Sequence, residues 1–193
     1  MEWVTTTLLL DQLSEGDEAA WTQFAERFRI PVTRFVQRLG VPAGETDDVV
    51  QETLITFLDA FRRGRYDRSK GRLGAWLFGI AAQSVRRHGR RSARDARQLN
   101  APTLFWEDLT EQELRDEWEL QWDRHVFERC LAQVRHELRP ETVRAFELVT
   151  LEERSAADVA ESTGLSTNAV YLAKRRVLQR IQELREEHER VTR

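Results

Sequence analysis

The stretch Ser155-Ala-Ala-Asp-Val-Ala-Glu-Ser-Thr-Gly164-Leu-Ser-Thr-Asn-Ala-Val170 decides the fold of the second half of this chain. It reads as two short helices around a tight turn. Gly164 suits the turn, Ala160 is small enough to let the helices approach, and Leu165 and Val170 supply shared core. Ser166 or Thr167 can cap the second helix. At about 100° per residue, Val170, Ala173, Val177 and Ile181 fall on one side of it, while Asn168, Tyr171, Leu172, Arg175 and Arg176 face outward or flank. A helix-turn-helix offers such outward residues, and the N-terminus of its second helix, to phosphates and base edges. Ser166, Thr167, Asn168, Tyr171, Arg175 and Arg176 are therefore the candidate duplex contacts. The competing reading is a hairpin that serves only packing.

Outward from this motif the chain keeps a helical period. Helices are expected over 140–150, 155–163 and 167–184. An amphipathic helix with Leu114, Trp118, Trp122, Val126, Leu131, Val134 and Leu138 precedes them and ends before Pro140. In the first half, a helix should start after Ser14-Glu15-Gly16-Asp17 and carry Trp21, Phe24, Phe28 and, past Pro31, Val32, Phe35, Val36 and Leu39. A second begins near Thr46-Asp47-Asp48, whose side chains can cap it, and bears Val49, Val50, Leu54, Phe57, Leu58 and Phe61. A polar loop over 64–71 leads to a third helix from about Leu73 to Arg87, with a basic tail to Arg91. No segment alternates as a strand does. The period lapses from Ser92 to about Glu113, around Asn100-Ala101-Pro102. The expectation is an all-α chain of two small helical domains, 1–91 and 114–193, joined by a flexible linker over 92–113.

Composition narrows the chemistry. The 193 residues are 40% hydrophobic and 33% charged, with a net charge of -3, so cores are affordable and the distribution of charge matters more than its sum. Lys70 and Lys174 are the only lysines, so the positive charge is almost all guanidinium, which suits phosphate and base-edge contacts. Lone Cys130 excludes an internal disulfide and a multi-cysteine zinc site. Its spacing to His125 and His136 is not that of a helix-borne metal site, so neither metal nor cofactor is expected. Nucleophile, base and orienter do not occur at telling spacing, which points away from an enzyme. No apolar run approaches the ~18–20 residues needed to span a bilayer, and no basic segment opens the chain. The expectation is a cytoplasmic protein without membrane insertion.

Two further clusters carry information. Arg86, Arg87, Arg90, Arg91, Arg94 and Arg97 are opposed in their window only by Asp95, a density suited to neutralising phosphates. Upstream, Tyr66-Asp67-Arg68-Ser69-Lys70-Gly71-Arg72 adds positive charge and a ring suited to stacking on an unpaired base. Asp47 and Asp48 open an acidic helix start. Adjacent helical positions diverge by about 100°, so partner docking or capping fits them better than convergence on one ligand.

These residues together resemble the bacterial RNA polymerase sigma factor family, in its extracytoplasmic-function group. Asp47-Asp-Val-Val-Gln-Glu-Thr-Leu-Ile-Thr-Phe-Leu58, Tyr66-Asp-Arg-Ser-Lys-Gly71 and Ala75-Trp-Leu-Phe-Gly-Ile-Ala81 are similar to the family's second region. Leu138-Arg-Pro-Glu-Thr-Val-Arg-Ala-Phe-Glu-Leu148, with the helix-turn-helix, is similar to its fourth. The resemblance implies that Asp47, Asp48, Gln51, Glu52 and Leu54 dock on the clamp helices of the polymerase β′ subunit. It implies that Tyr66, Asp67, Arg68, Ser69, Lys70, Arg72, Gln83, Arg86, Arg87 and Arg90 meet the promoter's -10 element, where a flipped base is captured. The helix from Thr167 would read the -35 element, and the β flap would pack on the second domain. Melting would then need no catalytic residue.

The chain departs from the family pattern in places. Glu45-Thr-Asp-Asp48 stands for the usual acidic run, Gln83 for an asparagine, and Tyr171-Leu172-Ala173 for a commoner Lys-Ser-Arg, so promoter preference does not carry over. An anti-sigma factor is the restraining partner the resemblance implies; a kinase, with Thr46 as a conceivable target, is the other form of control. Trp106, Trp118 and Trp122 lie in an acidic stretch, which either joins the core of the second domain, mimics nucleic acid, or rests on the Arg86 to Arg97 cluster. A stand-alone helix-turn-helix regulator would explain residues 155–185 but leave the Asp47 helix and the Tyr66 loop without a purpose.

Overall fold

The computed structural model describes residues 7–99 and 110–192. Among them the chain forms eight α-helices, one short 3-10 turn and no strand: α1 (Thr7–Glu15), α2 (Glu18–Arg38), α3 (Ala43–Arg62), the turn Arg68–Lys70, α4 (Leu73–Leu99), α5 (Glu111–Glu137), α6 (Pro140–Thr150), α7 (Ala156–Thr163) and α8 (Thr167–Thr192). The all-α expectation holds. No helix of the described residues is long and apolar enough to cross a membrane. The described residues divide into two compact units, one ending at His125 and the next beginning at Val126.

The first unit is built on aromatic stacking. Asp17 caps α2, its carboxylate accepting from the amides of Ala19 at 2.7 Å and Ala20 at 3.3 Å, a contribution of about 1 kcal/mol. The helix runs through Pro31 although proline cannot donate to the preceding turn; the ring is buried beside Val32, and that burial offsets a cost of roughly 3 kcal/mol. Phe24 stacks on Phe57 of α3 at 4.3 Å and on Phe28 at 4.4 Å, and α4 adds Leu77, Phe78, Ala81 and Val85 to the same core.

Three expectations are corrected here. α1 was not legible as an element, yet Leu9 and Leu13 are buried in this core. α4 runs on to Leu99, because Ser92 to Leu99 contains neither glycine nor proline to stop it. The third correction concerns α5, whose first half was expected in the second domain. Leu114 and Trp118 are instead buried in the first unit's core, where Trp118 meets Phe35 edge-on at 5.5 Å and Trp122 stacks on Phe28 at 5.3 Å. The first unit therefore extends to His125, and the expected linker over 92–113 does not separate the two units, whose division falls within α5, between His125 and Val126. Trp106 lies outside the described residues.

The second unit joins the latter half of α5 to α6, α7 and α8. Cys130, Leu131 and Val134 of α5 bury against Val143, Phe146, Val177, Ile181 and Leu184. Ala145, Leu148, Val159, Val170 and Ala173 form the core beneath the helix-turn-helix. Burial pushes the Cys130 thiol up, which keeps it protonated and inert.

Candidate nucleic-acid and partner interfaces

The acidic start of α3 is set by Pro42, which precedes the first helical residue, Ala43. Thr46, Asp47 and Asp48 consequently occupy the helix itself and do not cap it, contrary to expectation. Thr46 faces inward at 3% exposure, its hydroxyl donating to the Pro42 carbonyl at 3.0 Å. As a kinase target it is shielded while this turn is folded. Asp47, Asp48 and Gln51 are exposed, and Asp47 accepts from Arg29 Nη2 at 2.9 Å. Glu52 is half-buried, and Arg87 Nη1 donates to its Oε1 at 2.6 Å. Leu54, expected as a docking residue, is 4% exposed and belongs to the core, so it supports the helix from beneath. Ile55 is the apolar residue that faces out, at 49% exposure. Its spacing of seven from Asp48 and four from Gln51 puts it on their face, a signal already present in the sequence.

The loop after α3 is held by its own side chains. Asp67 caps the 3-10 turn, accepting from Ser69 Oγ at 2.6 Å and Ser69 N at 3.0 Å, with Lys70 Nζ at 3.5 Å. The Ser69 hydroxyl and amide hold its carboxyl below the usual range. Tyr66, expected to offer its ring to a base, is half-buried against Phe61 at 5.9 Å and Trp76 at 5.3 Å, and its hydroxyl donates to the Gly71 carbonyl at 3.2 Å. Burial pushes the phenol up. Arg68, Ser69, Lys70 and Arg72 are exposed. The loop is thus anchored by its aromatic ring and presents its cations outward.

Along α4, Leu77, Ala81, Ser84 and Val85 face the core, while Gln83 and Arg90 are exposed. Arg86 and Arg87 are half-buried, because each is drawn to a carboxylate: Arg86 Nη2 donates to Glu111 Oε2 at 3.1 Å, and Arg87 to Glu52. Arg91 Nη1 lies 3.7 Å from the other oxygen of Glu52, and His88 Nε2 lies 3.0 Å from Glu45 Oε2. The Arg86 to Glu111 pair brings the acidic start of α5 to the arginine cluster, one of the alternatives raised by its charge. The side chains of Arg94 and Arg97 lie outside the described residues.

In the second unit the helix-turn-helix has the expected geometry. Gly164 ends α7 in the left-handed region, at φ 71°. Ser155 Oγ accepts from the Asp158 amide at 3.1 Å and Ser166 Oγ from the Ala169 amide at 3.2 Å, so each helix carries a serine cap. Val170, Ala173, Val177 and Ile181 are buried. Ser166, Thr167, Asn168, Tyr171, Arg175 and Arg176 are all exposed, together with Leu172.

Comparison with known proteins adds to this geometry. Residues 24–95, from α2 through most of α4, match the family Sigma-70 region 2. The chain is 25% identical over 167 residues to the ECF RNA polymerase sigma factor RpoE of Cereibacter sphaeroides, covering 86% of this chain and 87% of that protein. It is 30% identical over 87 residues to the ECF RNA polymerase sigma-E factor of Escherichia coli strain K12, covering 45% of this chain and 44% of that protein. Among solved structures it is similar to CnrH in complex with the cytosolic domain of CnrY, at 22% identity and a TM-score of 0.38, covering 93% of this chain and 96% of that one.

Proposed function

This chain belongs to the extracytoplasmic-function group of RNA polymerase sigma factors and acts in transcription initiation with RNA polymerase; from that membership we propose how its surfaces divide the work. The exposed face of α3, with Asp47, Asp48, Gln51 and Ile55, docks on the β′ clamp helices. Glu52 belongs to the same face. The loop cations Arg68, Lys70 and Arg72, with Gln83, Arg86, Arg87 and Arg90 of α4, meet the -10 element, and Tyr66, Asp67 and Ser69 shape that loop. Ser166, Thr167, Asn168, Tyr171, Arg175 and Arg176 read the -35 element in the major groove. The first domain, through His125, carries docking and melting; the second carries duplex readout.

One observation carries this reading most directly. The residues of α8 that a groove would meet are exposed, whereas Val170, Ala173, Val177 and Ile181, on the other side of the same helix, are core. Opening of the duplex on this scheme uses binding energy for the displaced strand and no catalytic side chain. The place of action is the cytoplasm, where polymerase and promoters are, and an anti-sigma factor is the proposed restraint.

Run-off transcription with purified core polymerase and genomic promoter fragments tests the scheme, with the wild-type chain and an Asp48→Arg variant side by side. Specific transcripts with the first and none with the second are expected, since Asp48 is exposed and a reversed charge there repels the partner it should attract. Duplex binding by the protein alone, without any transcript, would favour the stand-alone regulator.

A further inference from the structure

Three of the α4 arginines are already engaged by carboxylates of the first unit. Glu52 of α3 takes Arg87 at 2.6 Å and stands 3.7 Å from Arg91; Glu111 of α5 takes Arg86 at 3.1 Å. The partners are separated by 35 and 25 residues in sequence, so these pairs are set by the tertiary fold. Each pair consumes the positive charge that a phosphate would need. We propose that Glu52 and Glu111 are internal competitors of nucleic acid, holding the α4 arginines in the free protein so that DNA must displace them. The inference rests on the reading of α4 as a DNA-contacting helix.

The arrangement has a directional consequence. Glu52 shares the face of α3 proposed to dock on polymerase, and a partner cation that claims its carboxylate leaves Arg87 and Arg91 without their counter-charge. Docking and DNA binding are then coupled through one side chain, and the coupling is reciprocal. A free sigma chain would hold DNA weakly, and a docked one more tightly, with no change of fold.

The test uses the full chain without polymerase and a fluorescent oligo-dT strand, with anisotropy read across a range of salt concentrations. The E52Q/E111Q protein is expected to bind roughly fivefold more tightly than wild type at low salt, the scale of exposed ion pairs. Its log-log salt dependence should steepen by about 0.7 for each arginine released to a phosphate. E26Q removes the same charge from an exposed position of α2 and should give a much smaller gain with an unchanged slope. R87A should lose affinity. E111Q alone, at the exposed start of α5, puts the same question to Arg86 should E52Q disturb the core. If the carboxylate variants bind no better than E26Q while R87A weakens binding, the internal competition is refuted and the DNA-contacting role of α4 stands. If R87A binds as wild type does, that role itself fails and takes the proposal with it.

Discussion

Arg180 of α8 straddles the carboxylate of Glu137 at the end of α5, Nε donating to Oε2 at 2.6 Å and Nη2 to Oε1 at 3.2 Å. The fork ties together two helices of the second unit that are 43 residues apart in sequence. The Arg180 donors hold the Glu137 carboxyl below its ordinary value of 4.5. A carboxyl whose folded value is depressed adds stability above the unfolded value, and that stability is lost as pH falls through the folded one. The second unit should therefore weaken by about 1 kcal/mol as pH falls from the ordinary value through the depressed one. Glu137→Gln should show the loss at neutral pH and none of this pH dependence, as read by thermal melting.

Trp118 gives the most direct check on the domain boundary. It packs edge-on to Phe35 and is 4% exposed within the first unit. Trp118→Ala should cost about 3–5 kcal/mol in the first unit, the usual penalty for emptying an aromatic site. Urea unfolding followed by probes in each unit should show the first transition moving and the second, anchored by Phe146 and Val177, staying in place.

Gly164 sits at φ 71° between α7 and α8. A β-carbon there meets no neighbour within 4 Å, so any penalty is conformational and not steric crowding. Gly164→Ala should cost about 1–2 kcal/mol and loosen the helix-turn-helix. Weaker binding to a duplex -35 fragment, together with a lower melting point, is the expected pair of readouts; unchanged melting would show that the turn relaxes freely.

Thr46 offers a prediction about control. With its hydroxyl spent on the Pro42 carbonyl and 3% of its surface exposed, it should not accept phosphate from a serine/threonine kinase in the folded protein. Thr46→Ala should lower the stability of the first unit by about 1 kcal/mol and leave polymerase pull-down unchanged. Stoichiometric labelling at Thr46 by intact-mass measurement would contradict this.

Much of this was legible from side-chain period alone. The helix-turn-helix was readable because Gly164, the cap offered by Ser166 or Thr167 and the Val170 to Ile181 stripe are local signals, each acting within a few residues. The destination of Trp118 was not: the period of α5 names the face to be buried but not the partner, and Phe28 and Phe35 lie more than 80 positions upstream. Leu54 illustrates the same limit, since a one-residue difference separates the buried Leu54 from the exposed Ile55. The ion pairs of Arg86 and Arg87 were half visible, as an excess of acid in one segment and of base in another, but the choice of Glu52 and Glu111 needed three dimensions.

The double membership of α5 sets a rule for anyone building hybrid sigma factors. A junction placed just before Glu111, where the helical period resumes and a linker is the natural guess, would strip Leu114, Trp118 and Trp122 from the unit that buries them and hand it a stranger's sequence at its core. A junction after His125 keeps both cores with their own residues. On the proposed division of work, the duplex-reading unit could then be exchanged as a cassette, with the seam inside a helix and not in a loop.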